Sequence, residues 1–183
     1  MNVDNSYSAK QVQQRDAIIT AVQNEFGFDT TTILPFCPAR LDGVESKAFI
    51  SHLKAVVDNI KPDVIYLPFA FDVHSDHQVV FKAMISACKS FRAPYVKEIL
   101  CYETLSETNF ALSPQNLQFQ PNVFVDISAF VEKKYAILSL YASEFAEHPF
   151  PRSMQAVRAL ETLRGSQANS LAAEAFVLLK QIW

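Results

Sequence analysis

The sequence predicts an α/β layered fold, Rossmann-like, with a mostly parallel sheet flanked by helices. Three observations predict it. Segments with helical spacing alternate with short strand-like runs, and no internal repeat or low-complexity tract interrupts them. Residues 64–69, Val-Ile-Tyr-Leu-Pro-Phe, form the continuous apolar run expected of a strand covered on both faces. Half of the 183 residues are apolar, enough to bury a core in one domain spanning residues 1–183.

The elements follow in order. Residues 9–26 place Val12, Ile18, Ile19, Val22 and Phe26 on one helical stripe, with Gly27 at the C′ position. Residues 31–35 read as a short strand. Residues 45–60 repeat apolar side chains at Phe49, Leu53, Val56, Val57 and Ile60, and Lys61-Pro62 stops that helix. After the strand at 64–69 comes the polar turn Asp72-Val73-His74-Ser75-Asp76-His77. A helix then runs to Phe91 through Val79, Val80, Met84, Ile85 and Cys88, with Ser75 and Gln78 spaced as a capping box. Residues 96–104 and 122–127 read as strands, and residues 129–144 and 153–182 as helices, the second broken at Gly165.

Composition removes several function classes. Sixteen basic residues against nineteen acidic ones give a net charge of −3, with no basic stripe to track a phosphate backbone, so nucleic acid is not expected as a partner. Cys37, Cys88 and Cys101 are an odd number without paired spacing, which argues for reduced thiols. The polar opening has no apolar signal-like region and no stretch is long enough to span a bilayer, so the expected location is the cytoplasm. Only Gly27, Gly43 and Gly165 occur, so a Gly-rich phosphate loop, and with it a nucleotide-sugar-binding domain, is disfavoured.

The chemistry concentrates at the turn after the apolar run. In open α/β sheets, ligands bind beyond the carboxyl ends of strands. His74 and His77, three apart at a helix start, share a face, and imidazole is a common zinc ligand. A metal-bound imidazole usually donates its other proton to a carboxylate, a role open to Asp72 or Asp76. The competing reading is an exposed polar turn with aspartates favouring the helix dipole, and spacing alone favours it. A catalytic zinc takes three protein ligands, more than this turn supplies.

The wider order of motifs resembles the PIG-L/LmbE family of zinc-dependent N-acetylglucosaminyl deacetylases. Lys61-Pro62-Asp63-Val64-Ile65-Tyr66-Leu67-Pro68 followed by Asp72-x-His74-x-Asp76-His77 carries the resemblance. Tyr102-Glu103, Phe119-x-Pro121-Asn122-x-Phe124-Val125-Asp126-Ile127-Ser128, Glu132-Lys133-Lys134, Tyr141-x-Ser143 and Ala173-Glu174-Ala175-Phe176 extend it over nearly the whole chain. The resemblance implies His77 as a zinc ligand, His74 as the acid or oxyanion stabiliser beside the substrate carbonyl, and Asp76 as the residue orienting His74. It also implies sugar contact by Arg15. Asp72, His148 and Arg152 are further candidates for substrate contact, the last two from the proline-stiffened loop Glu147-His148-Pro149-Phe150-Pro151-Arg152. His52 reads as solvent-facing or structural. Arg158 and Arg164 suit either an anionic carrier or a solvated helix face.

One part of the family pattern has no counterpart. Relatives open with a strand and an Ala-His-Pro-Asp-Asp-Glu segment, which supplies two zinc ligands and the general base, and none of His52, His74, His77 and His148 precedes Asp-Asp. The expectation is a domain without its first strand, holding Zn2+ or another divalent ion weakly. Two function classes follow: a metal-dependent hydrolase removing the N-acetyl group from a GlcNAc-type, carrier-linked amino sugar, and a catalytically incomplete sugar-binding or scaffolding module. The exposed edge left by a missing strand favours a homo-oligomer or a complementing chain.

Overall fold

In the computed structural model, which describes residues 8–112, 114 and 117–183, the chain divides into two compact units. The first comprises the chain up to Cys37 and Asp126–Ala173; the second comprises Pro38–Val125 and Glu174–Trp183. Residues 1–7 of the polar opening and residues 113, 115 and 116 of the Asn/Pro/Gln loop lie outside the described residues.

Helix α1 (Ala9–Phe26) belongs to the first unit, and helix α2 (Ser46–Ile60) to the second. Helix α2 starts at Glu45, whose carboxylate accepts the Lys47 and Ala48 N–H groups at 2.9 and 2.7 Å. Those bonds hold the Glu45 carboxyl below its ordinary value. Strand β1 (Val64–Pro68) leads to α3 (Ser75–Ala87) and then to β2 (Glu98–Tyr102). Strands β3 (Val123–Asp126) and β4 (Ala173–Gln181) complete, among the described residues, a sheet of order β1-β2-β4-β3. β1 and β2 are parallel, with Val64 opposite Glu98 and Pro68 opposite Tyr102, whereas β2 and β4 are antiparallel, with a register shift between Ile99 and Leu100.

The sheet is therefore mixed rather than mostly parallel. The cause is β4: residues 173–181, expected as the end of a helix, form a strand that occupies the edge of β2. Ala, Glu, Leu and Lys are good helix formers, so local preference points the wrong way and strand pairing overrides it. The predicted strand at 31–35 forms no ladder. Ile65 and Leu67 of β1 are buried beneath α2 and α3 in a core with Val57, Met84, Ala87, Cys88, Val96, Ile99 and Cys101; on the other face Pro68 is buried and Val64 partly so, while Tyr66 remains 54% exposed.

In the first unit, Ser8 and Gln11 form a capping box at the start of α1, and Gly27 closes it at φ 76°. Helix α4 (Val131–Ser139) contacts α1. Helix α5 (Met154–Ala168) is not broken at Gly165 but ends at Asn169, φ 56°. Gly165 serves close approach instead, because a Cβ there would stand 2.8 Å from the Ser170 carbonyl oxygen. Tyr135 donates to the buried Glu161 carboxylate, which Lys134 approaches at 3.6 Å.

Candidate active site

The turn between β1 and α3 lies at the carboxyl end of β1, within the second unit. Its centre is Asp72, with no exposed surface at all. A buried carboxylate persists only when its oxygens are hydrogen-bonded, and both are. His77 Nδ1–H donates to Oδ2 at 2.7 Å, and the Thr108 hydroxyl donates to Oδ1 at 2.6 Å. Gln78 Nε2 donates to the Asp72 carbonyl at 2.8 Å, so the Gln78 side chain braces the turn instead of closing a capping box with Ser75.

His74, not Ser75, is the N-cap of α3: its Nδ1 accepts the Asp76 N–H at 3.1 Å. A backbone N–H can only donate, so Nδ1 of His74 carries the lone pair and Nε2 the proton of the neutral ring. His77 has the reverse arrangement, with Nδ1–H directed at Asp72 and the lone pair on Nε2. The two rings stack, 5.0 Å between centroids and 13° between planes, and both are partly exposed. The turn thus offers one N–H donor and one nitrogen lone pair side by side, at the positive end of a helix dipole.

Asp76 departs from the role expected of it, while Asp72 takes the place behind a histidine that was open to either aspartate. Asp76 does not orient His74 through its carboxylate; its oxygens accept the N–H groups of Ala39 at 2.6 Å and Leu41 at 3.0 Å, tying the 39–41 loop to the first turn of α3. Ala39 has φ 57°, so this carboxylate secures a left-handed residue. Asp72 is sealed from solvent and so stands behind His77 rather than at a substrate. Its charge is felt next door: burial first, and Asp72 second, push the Cys101 thiol up to about 12 and raise Tyr102.

The other candidates lie in the first unit. Arg15 is exposed on α1. His148 is exposed in its loop, and Arg152 is committed locally: Nε donates to the Glu144 carbonyl at 3.0 Å and the guanidinium covers the Phe150 ring at 5.4 Å. Arg158 lies over the Tyr135 ring and Arg164 donates to Gln167. His52, in the second unit, bonds the Ala48 carbonyl one turn back. Thr108 was not legible as a site residue, since it lies 36 positions from Asp72 with no motif around it.

A catalytic zinc takes three protein ligands and a water. Among the described residues, no group of three or more His, Cys, Asp or Glu side chains could hold a metal ion. His77 Nε2 is a suitable donor, but Asp72 is enclosed and the Asp76 oxygens are occupied. The described residues therefore do not fit a complete zinc site.

The fold recurs among solved structures. The chain is similar in fold to the conserved protein TT1542 from Thermus thermophilus, with 22% identity, TM-score 0.75, and coverage of 98% of this chain and 78% of that one. It is similar to the N,N'-diacetylchitobiose deacetylase from Pyrococcus horikoshii, with 15% identity, TM-score 0.73, and coverage of 98% and 68%. The same fold, at 16% identity, TM-score 0.67 and coverage of 98% and 77%, appears in GalB, the 4-carboxy-2-hydroxymuconate hydratase from Pseudomonas putida KT2440. Residues 2–88, which contain β1 and the whole histidine turn, match the PIG-L family, described as GlcNAc-PI de-N-acetylase.

Proposed function

We propose that this chain carries the histidine half of an N-deacetylase site for an N-acetyl amino sugar of GlcNAc type. A fold shared with both a deacetylase and a hydratase leaves the reaction open, so the side chains must carry the reading. The observation that does so is the opposite partnering of the two Nδ1 atoms, that of His74 with a backbone N–H and that of His77 with a carboxylate. Hydrolysis of an acetamide places negative charge on the carbonyl oxygen, and an Nε2–H donor such as that of His74 stabilises it. His77 Nε2 presents the electron pair that a divalent metal, or a water to be activated, requires. Expulsion of the amine needs a proton, which the attacking water supplies, while the neutral His74 ring keeps its Nε2–H on the oxyanion. In the family, zinc would supply polarisation of the carbonyl; His77 is the ligand this chain contributes, and two further ligands are needed.

The shortage of ligands among the described residues supports a second reading, a sugar-binding module without turnover. Acetate release and sugar binding, measured on the same protein with N-acetylglucosamine and its glycosides, with and without added Zn2+, separate the two. Release of acetate that His77→Ala abolishes and His74→Ala lowers by about 10²-fold is expected of the deacetylase. Sugar binding without acetate under every metal condition would establish the module instead. Cys37, Cys88 and Cys101 are thiols rather than disulfide halves, which supports a reducing compartment, and we assign the chain to the cytoplasm.

A further inference from the structure

Behind His77 the Asp72 carboxylate links the ring to a second donor, the Thr108 hydroxyl. The turn following β2 is closed by the Glu107 and Thr108 N–H groups donating to the Thr104 carbonyl at 3.1 and 2.9 Å, with Ser106 at φ 71° donating its N–H to the Asn109 side chain. This turn is joined to the histidine turn through Val73 N–H, which donates to the Glu107 carbonyl at 3.2 Å. Within it, Thr104 N–H donates to Thr108 Oγ1 at 2.7 Å. That bond occupies a lone pair of the hydroxyl and leaves its proton to Asp72 Oδ1 at 2.6 Å. The other oxygen of the same carboxylate receives His77 Nδ1–H.

We propose that Thr108 is a positioning residue for His77: anchored by the Thr104 backbone, its hydroxyl fixes the plane of the buried Asp72 carboxylate, and that carboxylate in turn holds the His77 Nδ1–H and leaves Nε2 outward. The role of the outward nitrogen rests on the deacetylase reading; the positioning does not. A carboxylate held at both oxygens turns about χ2 only by breaking two charge-assisted bonds, one held at a single oxygen by breaking one. Thr108 thereby converts a rigid turn at the end of β2 into a fixed ring orientation at the start of α3.

Thr104 provides an internal control, because its own hydroxyl is buried without a hydrogen-bond partner among the described residues. The experiment follows solvent exchange of the His77 Nδ1 proton by NMR in the full chain, with thermal unfolding recorded for every variant. Thr108→Val should accelerate exchange by roughly tenfold, the scale of one net hydrogen bond, as water enters to satisfy Oδ1. Thr108→Ser should restore the wild-type rate, and Thr104→Val should leave it unchanged. Thr108→Ala, with space for a water, gives the same reading should the valine variant not fold. Equal exchange in wild type, Thr108→Val and Thr108→Ala, or acceleration by Thr104→Val matching that of Thr108→Val at similar stability, would overturn the proposal. Accelerated exchange in a protein that releases no acetate would sink the deacetylase reading and leave Thr108 in its role.

Discussion

The histidine turn at 72–77 and the proline-stiffened loop at 147–152 look alike as sequence: each joins histidine to charged residues in a short polar stretch. Their physical settings are opposite. Beneath His77 lies a fully buried carboxylate with both oxygens bonded, and the ring's protonation follows from it. His148 is exposed, and its neighbour Arg152 is spent on Glu144 and Phe150. A histidine gains a defined chemical role when something buried dictates which nitrogen holds the proton, and only the first stretch has that.

The comparison can be broken most directly at Asp72. Asp72→Ala strands the His77 Nδ1–H and the Thr108 hydroxyl in a buried site, and we expect a loss of about 3 kcal/mol in urea unfolding. A loss below about 1 kcal/mol would show that water replaces the carboxylate freely. Next in size is an alkaline effect on the same region. Burial and the Asp72 charge push Cys101 from 9.0 to about 12, so the folded state keeps a proton that the unfolded chain loses. The stability this confers is complete below the unfolded value and declines as pH rises through the interval towards 12. Tyr102, raised by burial and then by Asp72, acts with the same sign. Urea midpoints should fall between about pH 8 and about pH 10.5, and fall more shallowly in Cys101→Ala.

A smaller loss is expected at Asp76, whose removal by Asp76→Ala leaves two N–H groups of a partly exposed loop to water, at about 1 kcal/mol. Hydrogen exchange at Ala39 and Leu41 should rise with it; unchanged protection there would contradict the tether. At the far end of the scale stands His148→Ala. With the ring exposed, stability should move by less than about 0.5 kcal/mol, and a larger change would mean that the two stretches differ less than their burial indicates.

What the sequence determined by itself is the part of the molecule written in local periodicity. Helices α1 and α2, strand β1 and the start of a helix just after Asp72 follow from apolar spacing and stop signals within a few residues, and Gly27 takes the positive φ its position requires. The place of the histidine turn at a strand's carboxyl end was legible for the same reason. Tertiary structure decided everything that depends on a partner distant in the chain. Residues 173–181 are strand because β2 offers an edge that outweighs helix preference, and the sheet is mixed as a result. Residues 31–35 stay irregular because an extended segment gains nothing without a strand to pair with. Asp72 rather than Asp76 backs His77, because the sealed position and Thr108 belong to one and the Ala39 and Leu41 N–H groups claim the other. Such choices turn on ångström distances between groups 35 to 37 residues apart, where hydrogen bonding is decided and sequence spacing carries no signal.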